Sequence, residues 1–250
     1  MQFEKKLIND GKYLFKYRGQ IPIILFLISI PIISKTSYYN IDNTNLVFFI
    51  QCLGVITSVL GLLLRYYTVG TTPEGTSGKN RNKQVAKHLN IRGAYSIVRN
   101  PLYLGNYMIW LGLSIFSISY IFIIITTLLF IIHYERIILA EENFLLAKFK
   151  TKYEKFTNQA PVFFPKFQNF KNSNIKLSIK KILKEEYSPT LTTILSFIYI
   201  DILTKTIGST NFILSQKNNL DWQCYILIIG VTVYIIICLK LFKRYTTLLD

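Results

Sequence analysis

The chain has 250 residues, 51% of them hydrophobic and 15% aromatic, with a mean hydropathy of +0.33 and a formal net charge of +16. Apolar blocks separated by lysine-rich stretches exclude an ordinary soluble globular domain and describe a polytopic membrane protein. The basic residues flank apolar spans and line no soluble face, so nucleic-acid binding is excluded as the reason for the charge.

Taken in chain order, a basic lead over residues 1–20 precedes a short apolar run, Ile21–Ser34. No small-residue cleavage site follows that run, so it reads as a retained first span and not as a signal peptide. Leu46–Leu64 has about the length that crosses the ~30 Å hydrocarbon core. Leu102–Ile118 and Tyr120–Tyr134 are barely separated and predict a tight helical hairpin. Pro189–Lys205 and Gln223–Lys240 complete six apolar segments. Between them, Ile175–Tyr187 sets Ile175, Ile179, Ile182 and Leu183 on one helical face. Lys176, Lys180, Lys181 and Lys184 fall mostly on the other, the pattern of an amphipathic helix on an anionic leaflet. The expected architecture is all-α, with about six transmembrane helices. Its expected parts are an N-terminal segment (1–45), a core (46–165), an interfacial segment (166–187) and a closing pair of spans (188–250).

Loop charge predicts the orientation, because positive residues stay on the cytoplasmic side. With the N-terminus inside, 26 of the 29 lysines and arginines are cytosolic, and Lys35, Lys205 and Lys217 lie opposite. Both termini are then cytosolic. Cys52, Cys224 and Cys238 stand far apart in apolar spans, without CxxC spacing. They predict buried thiols acting as small hydrophobes, with no disulfide framework and no metal site.

Two cytosolic segments could carry chemistry. The first starts at Gly75-Thr76-Ser77-Gly78-Lys79-Asn80-Arg81. Its glycines permit tight turns, and Lys79, Arg81 and Lys83 could cradle an anionic substrate. The GxxxxGK[ST] spacing of a nucleotide P-loop is absent, and a positively charged connecting loop explains the stretch equally well. Arg99, two residues before Pro101, is more specific. Proline suits the first turn of a helix, so Pro101 predicts the start of the third span at the membrane surface. Arg99, Asn100, Tyr103 and the first-turn N–H groups then face the cytosol, where a helix N-terminus favours a carboxylate or phosphate. An interfacial Arg/Tyr belt is the alternative. The second segment carries Glu141-Glu142, then Leu145, Phe149, Tyr153, Phe156, Pro161 and Pro165. Carboxylates at the end of an apolar helix are costly unless solvated or paired. They could bind an amino group or ribose hydroxyls, or simply pair with a lysine such as Lys148.

Together the two segments resemble a known family. Gly93-x-Tyr95-xxx-Arg99-x-Pro101-x-Tyr103-x-Gly105 is similar to the GxYxxxRHPxYxG motif of isoprenylcysteine carboxyl methyltransferases and their phospholipid methyltransferase relatives. Glu141, Glu142, Leu145, Phe149, Tyr153, Phe156, Pro161 and Pro165 follow the family's EExxLxxxFGxxYxxYxxxxPxxxP pattern, with Phe156 in place of a tyrosine. The resemblance covers residues 46–165. It implies an integral-membrane methyltransferase that uses S-adenosylmethionine. Tyr95, Arg99, Asn100, Pro101, Tyr103 and Gly105 would lie on one side of the cofactor. Glu141 and Glu142 would lie on the other side or hold Arg99, and Arg99 and Glu142 would be the catalytic pair. Two further positions depart from the pattern: the RHP histidine is Asn100, and the FG glycine is Lys150. Asparagine keeps hydrogen-bonding capacity but carries no proton charge at neutral pH.

Methyl transfer from a sulfonium is an in-line displacement, and an anionic acceptor needs placement and desolvation more than a general base. No histidine stands near the motif; His88 and His133 read as structural or solvated. The GTSGKN stretch and the run around Asn90–Asn106 are similar to a bacterial branch that includes a lipid A phosphate methyltransferase. The expected substrate is therefore a lipid phosphate. The alternatives are a prenylcysteine carboxylate, a phospholipid amine, or a catalytically silent relative. The Ile-, Asn- and Lys-rich composition suggests an AT-rich bacterial genome and hence the bacterial inner membrane. Asp201 and Lys205, the only ionisable hints of transport, are expected to pair with each other instead.

Overall fold

The computed structural model describes residues 2–36, 44–73, 84, 86–207 and 222–245. Those residues are helical, joined by irregular segments, and contain no strand, only an isolated bridge between Gly93 and Lys171. The helices are α1 (Gln2–Tyr17), α2 (Ile21–Lys35), α3 (Thr44–Gly70), α4 (Ala94–Ile97), α5 (Pro101–Phe116), α6 (Tyr120–Phe149), α7 (Thr151–Thr157), α8 (Ile179–Ile207) and α9 (Trp222–Tyr245), with a 3-10 turn at Phe167–Asn169. Three of them, α3, α6 and α8, are long and apolar enough to cross a membrane, or four spans if the bent α1–α2 pair is one. The protein is an integral membrane protein.

The predicted hairpin is present: α5 and α6 are joined by Ser117–Ser119, with Ile118 at a φ of +59°. The tightest helix pair is α3 with α5. Gly54 and Gly61 on α3 face Gly112 and Gly105 on α5, each pair two helical turns apart and so on one face. A Cβ at Gly54 would stand 2.6 Å from the Gly112 carbonyl oxygen, and one at Gly61 would stand 2.7 Å from that of Gly105. Small residues at such spacing let two backbones approach where lipid gives no hydrophobic drive to pack. The Ser58 hydroxyl uses the closeness to donate to the Ile109 carbonyl at 3.0 Å.

The basic lead became a helix. α1 meets α2 at 86° and lies against α6, with Gly11 pressed to the Arg136 carbonyl and to Ala140. The segment predicted as an interfacial helix differs more. Helix begins only at Ile179 and runs without a break through Pro189 to Ile207, so the charged run forms the first turns of the fifth predicted span. A proline inside a helix removes one backbone bond, but two tertiary contacts hold the turns before it. Glu186 pairs with Arg65, and Lys181 is buried, donating from Nζ to the carbonyls of Thr72 at 2.6 Å and Pro73 at 3.2 Å. Lys181 therefore caps the end of α3 and is not on a solvated face. Leu177, Ile179 and Leu183 remain exposed, as lipid-facing residues should be. At the far end of α8, Asp201 pairs with Lys205 at 2.9 Å as expected, and Tyr225 of α9 joins them. The cysteines correct a prediction: Cys52 and Cys238 are half-buried and Cys224 is exposed. In a bilayer protein the outward face is itself apolar, so a thiol needs no core.

Replacing Gly54 with leucine should force α3 off α5 and cost about 1–3 kcal/mol. Thermal unfolding of the detergent-solubilised protein checks this, and an unchanged midpoint would contradict the packing.

Candidate active site

The two sequence blocks fold onto each other through Arg99. Gly93 starts the arrangement at a φ of +62°, a conformation that glycine adopts without strain. Its N–H donates to the Lys171 carbonyl at 2.8 Å, and Ser96 Oγ accepts from the Lys171 N–H at 2.9 Å. The chain then extends through Val98 to Arg99. The Arg99 backbone N–H donates to the Pro161 carbonyl at 2.8 Å. Its Nε donates to the Ala160 carbonyl at 2.8 Å, and its Nη1 to Glu142 Oε1 at 2.7 Å. Asn100 Nδ2 donates to the Val162 carbonyl at 3.2 Å, and the Lys166 N–H donates to Ile97 at 2.9 Å. One residue thus joins the start of α5, the end of α6 and the Pro161–Pro165 segment.

Pro101 is fully buried at the first turn of α5. In the same turn, the Tyr103 hydroxyl meets the Glu141 carboxylate, while Tyr153 of α7 meets Glu142 and Arg99. Tyr95, Leu89, Leu145 and Phe149 each pack against the buried cluster of Tyr153, Phe156 and Ala160. Burial and the charge of Glu141 push the Tyr95 phenol well above its usual range; burial and Glu142 do the same for Tyr153. Both stay protonated at any physiological pH, as fixed hydrogen-bond donors.

These residues open into a cavity of about 730 Å³. Tyr95, Arg99, Asn100, Pro101, Tyr103, Glu141 and Glu142 all line it, so the structure brings seven of the expected cofactor residues together. Gly105 is placed differently. It faces α3, where a Cβ would stand 2.6 Å from Arg65 Cγ, so its smallness serves packing. Lys79, Arg81 and Lys83 lie outside the described residues. His88 is in the cavity wall, whereas His133 is buried against the Tyr134 ring. Among the described residues, no group of three His, Cys, Asp or Glu is placed to hold a metal ion.

The cavity wall contains residues that sequence reasoning missed. Deeper than Tyr103, Arg65 donates from Nε and Nη2 to both Glu186 oxygens at 2.8 Å, and from Nη1 to Asn106 Oδ1 at 2.6 Å. Asn106 Nδ2 donates to the Tyr134 hydroxyl at 2.9 Å. Arg18, at the α1–α2 corner, lies 3.9 Å from the Phe15 ring centre and also lines the cavity. Arg65 counted in the sequence only as loop charge. The usable signal was opposite charges, Arg65 and Glu186, each bordering an apolar span. Still deeper the wall is largely apolar, with Leu25, Phe26, Trp110, Leu113, Phe122 and Ile200, interrupted by the hydroxyls of Thr126 and Ser196.

Residues 49–152 match the family model of phospholipid methyltransferases. The matched segment is less than half of the chain. It spans α3 to the start of α7 and includes the first motif and the glutamate pair, while α1, α2, α8 and α9 lie outside it. No curated protein and no solved structure matches the chain. The match supports a membrane methyltransferase acting on lipid-related substrates.

The family comparison also gives Lys150 a physical meaning. It joins α6 to α7 at a φ of +46°, a region that glycine enters freely and lysine does not. Lys150→Gly should raise stability by about 1 kcal/mol. The readout is again the thermal midpoint, and a fall would show that the lysine side chain contributes more than the backbone strain costs.

Proposed function

We propose that the protein is an S-adenosylmethionine-dependent methyltransferase that O-methylates an anionic lipid head group, a lipid phosphate, at the cytosolic face of the bacterial inner membrane. One observation carries this reading: a single cavity joins the charged cluster at Arg99 and Glu142 to an apolar depth among α2, α5, α6 and α8. A polar cofactor and a lipid chain thereby share one enclosure.

The residues fit the cofactor. The volume lies in the range of small-molecule sites. Glu141 and Glu142 suit an amino group or ribose hydroxyls, the Arg99 side suits a carboxylate, and the rings of Tyr95, Tyr103 and Tyr153 suit a cation. When bound, the cofactor supplies an electrophilic methyl group on positively charged sulfur. The protein's part is placement and exclusion of water. Arg99 is oriented by three protein bonds, and Asn100 ties the entrance of α5 to Val162. An acceptor oxygen that is already anionic forms its bond to the methyl carbon as the carbon–sulfur pair returns to sulfur, and no proton moves. This suits a site where Asn100 replaces a histidine. A second reading, N-methylation of a phospholipid amine, draws on Glu185 and Glu186 in the same cavity.

Membranes containing the protein, incubated with methyl-labelled S-adenosylmethionine, should yield label in the lipid extract, in a phosphate ester that hydrolysis releases. Label stable as an N-methyl amine would establish the second reading. Label in protein alone would overturn a lipid acceptor, and label nowhere would overturn enzymatic function. Arg99→Ala and Glu142→Ala should each weaken S-adenosylmethionine binding at least about tenfold, roughly 1.4 kcal/mol, by calorimetry on the purified protein. Asn100→His should change turnover less than about threefold, because a ring N–H can serve the same Val162 carbonyl. A large rise would instead mean that the position must carry a proton.

A further inference from the structure

We propose that Arg65, held in place by Glu186, binds the anionic head group of the acceptor lipid one helical turn inside the cofactor end of the cavity. The inference rests on the methyltransferase reading above and assigns the acceptor half of that site.

The levels along α5 come first. Tyr103, Asn106, Trp110 and Leu113 all line the cavity, at the three- and four-residue spacing of one helix face. Tyr103 meets Glu141 at the cofactor end. Asn106 lies about 4.5 Å deeper by helical rise, and Leu113 about 10 Å deeper still. Arg65 Nη1 reaches Asn106 Oδ1 at 2.6 Å, so the guanidinium sits at the level between the polar end and the apolar depth. In-line transfer needs the acceptor atom beside the methyl group, with its lipid chain trailing into the apolar part. The head group therefore belongs at this level.

The chemistry at that level suits an anion. A guanidinium has five N–H donors. Three of those of Arg65 are used, two on Glu186 and one on Asn106, which leaves two. The side-chain exposures of Arg65 and Glu186 are 12% and 4%. Burying two charges is expensive, and an apolar pair of the same size often serves stability as well or better. An ion pair retained in a cavity wall thus points to a task beyond holding α3 to α8. The Glu186 fork removes the rotational freedom of Arg65 before any ligand arrives. Arg18, at the α1–α2 corner, lines the same cavity as Arg65 and Tyr134. An anion beside Tyr134 would meet positive charge from two directions. Glu186, which touches only Arg65 among these groups, is a positioning residue.

The acceptor anion is a phosphate or a carboxylate, and the two are separable with short-chain probes on the full-length protein in detergent. Dihexanoyl phosphatidate, decanoate and dihexanoyl phosphatidylcholine are titrated by calorimetry, with S-adenosylmethionine as the control ligand. Arg65→Gln should weaken the preferred anionic probe about tenfold or more, and change S-adenosylmethionine affinity less than twofold. Glu186→Gln should weaken the same probe less, and reduce its preference over phosphatidylcholine. Preference for phosphatidate identifies a phosphate acceptor; preference for decanoate identifies a carboxylate. Unchanged anion affinity in a folded Arg65→Gln protein overturns the proposal, as does equal loss of the zwitterionic probe or of S-adenosylmethionine. Should Arg65→Gln fail to fold, Arg65→Met with Glu186→Leu keeps apolar packing across α3 and α8 and is held to the same criterion. Anion binding through Arg65 without methyl transfer in the labelling assay would leave this site standing and remove the enzymatic reading.

Discussion

The hold of Arg99 on the Pro161 segment and on Glu142 is the constraint on which the site depends. A guanidinium at the entrance of α5 spends its bonds on two separate parts of the chain, the Ala160 carbonyl and the Glu142 carboxylate, while its own N–H takes the Pro161 carbonyl. With the Asn100–Val162 and Lys166–Ile97 bonds and the packing of Phe163 on Tyr107, it folds the residues after α7 back over α5. Removing one partner of an ion pair withdrawn from water costs more than the pair's net contribution, because the other charge is left uncompensated. That asymmetry explains why a pair contributing little net stability can still determine one arrangement of several segments.

The same logic recurs deeper in the membrane. Arg65 and Glu186 join α3 to α8 as Arg99 and Glu142 join α5 to α6, and Asn106 and Tyr134 connect the second pair toward the first. The two pairs divide one cavity into a charged end, a polar level and an apolar depth. Only the middle of the chain matches the phospholipid methyltransferase model, yet α1, the α1–α2 corner, α2 and α8 supply Phe15, Arg18, Phe26, Glu186 and Ile200 to the wall. The matched segment thus carries the charged end of the cavity, and the elements around it help to enclose the apolar depth.

Close backbone contact makes this division possible. With glycines at positions 54, 61, 105 and 112, α3 and α5 approach until side chains two turns apart pass each other, and Arg65 runs past Gly105 to reach Asn106 and Glu186. Gly105 shows how a motif residue can serve helix packing. Its place in the motif suggested a cofactor contact, whereas its neighbours are Arg65 and the Gly61 carbonyl.

What the sequence determined alone was whatever depends on local pattern. Apolar run length specified membrane helices, Pro101 marked the start of α5, and the spacing of Gly93, Tyr95, Arg99, Tyr103 and the glutamate pair marked a two-block site, since each is a feature of residues near one another in the chain. Helix boundaries set by distant partners were not legible: α8 continues through Pro189 because Arg65 and Thr72, more than a hundred residues away in the chain, hold its first turns. The strain at Lys150 and the packing role of Gly105 were equally hidden, because a backbone angle and a helix-to-helix distance exist only after folding. The Arg65–Glu186 pair was the largest omission. Opposite charges bordering two apolar spans carry no address for each other in sequence, and the low-dielectric interior that makes their pairing obligatory is created only when α3 and α8 come together.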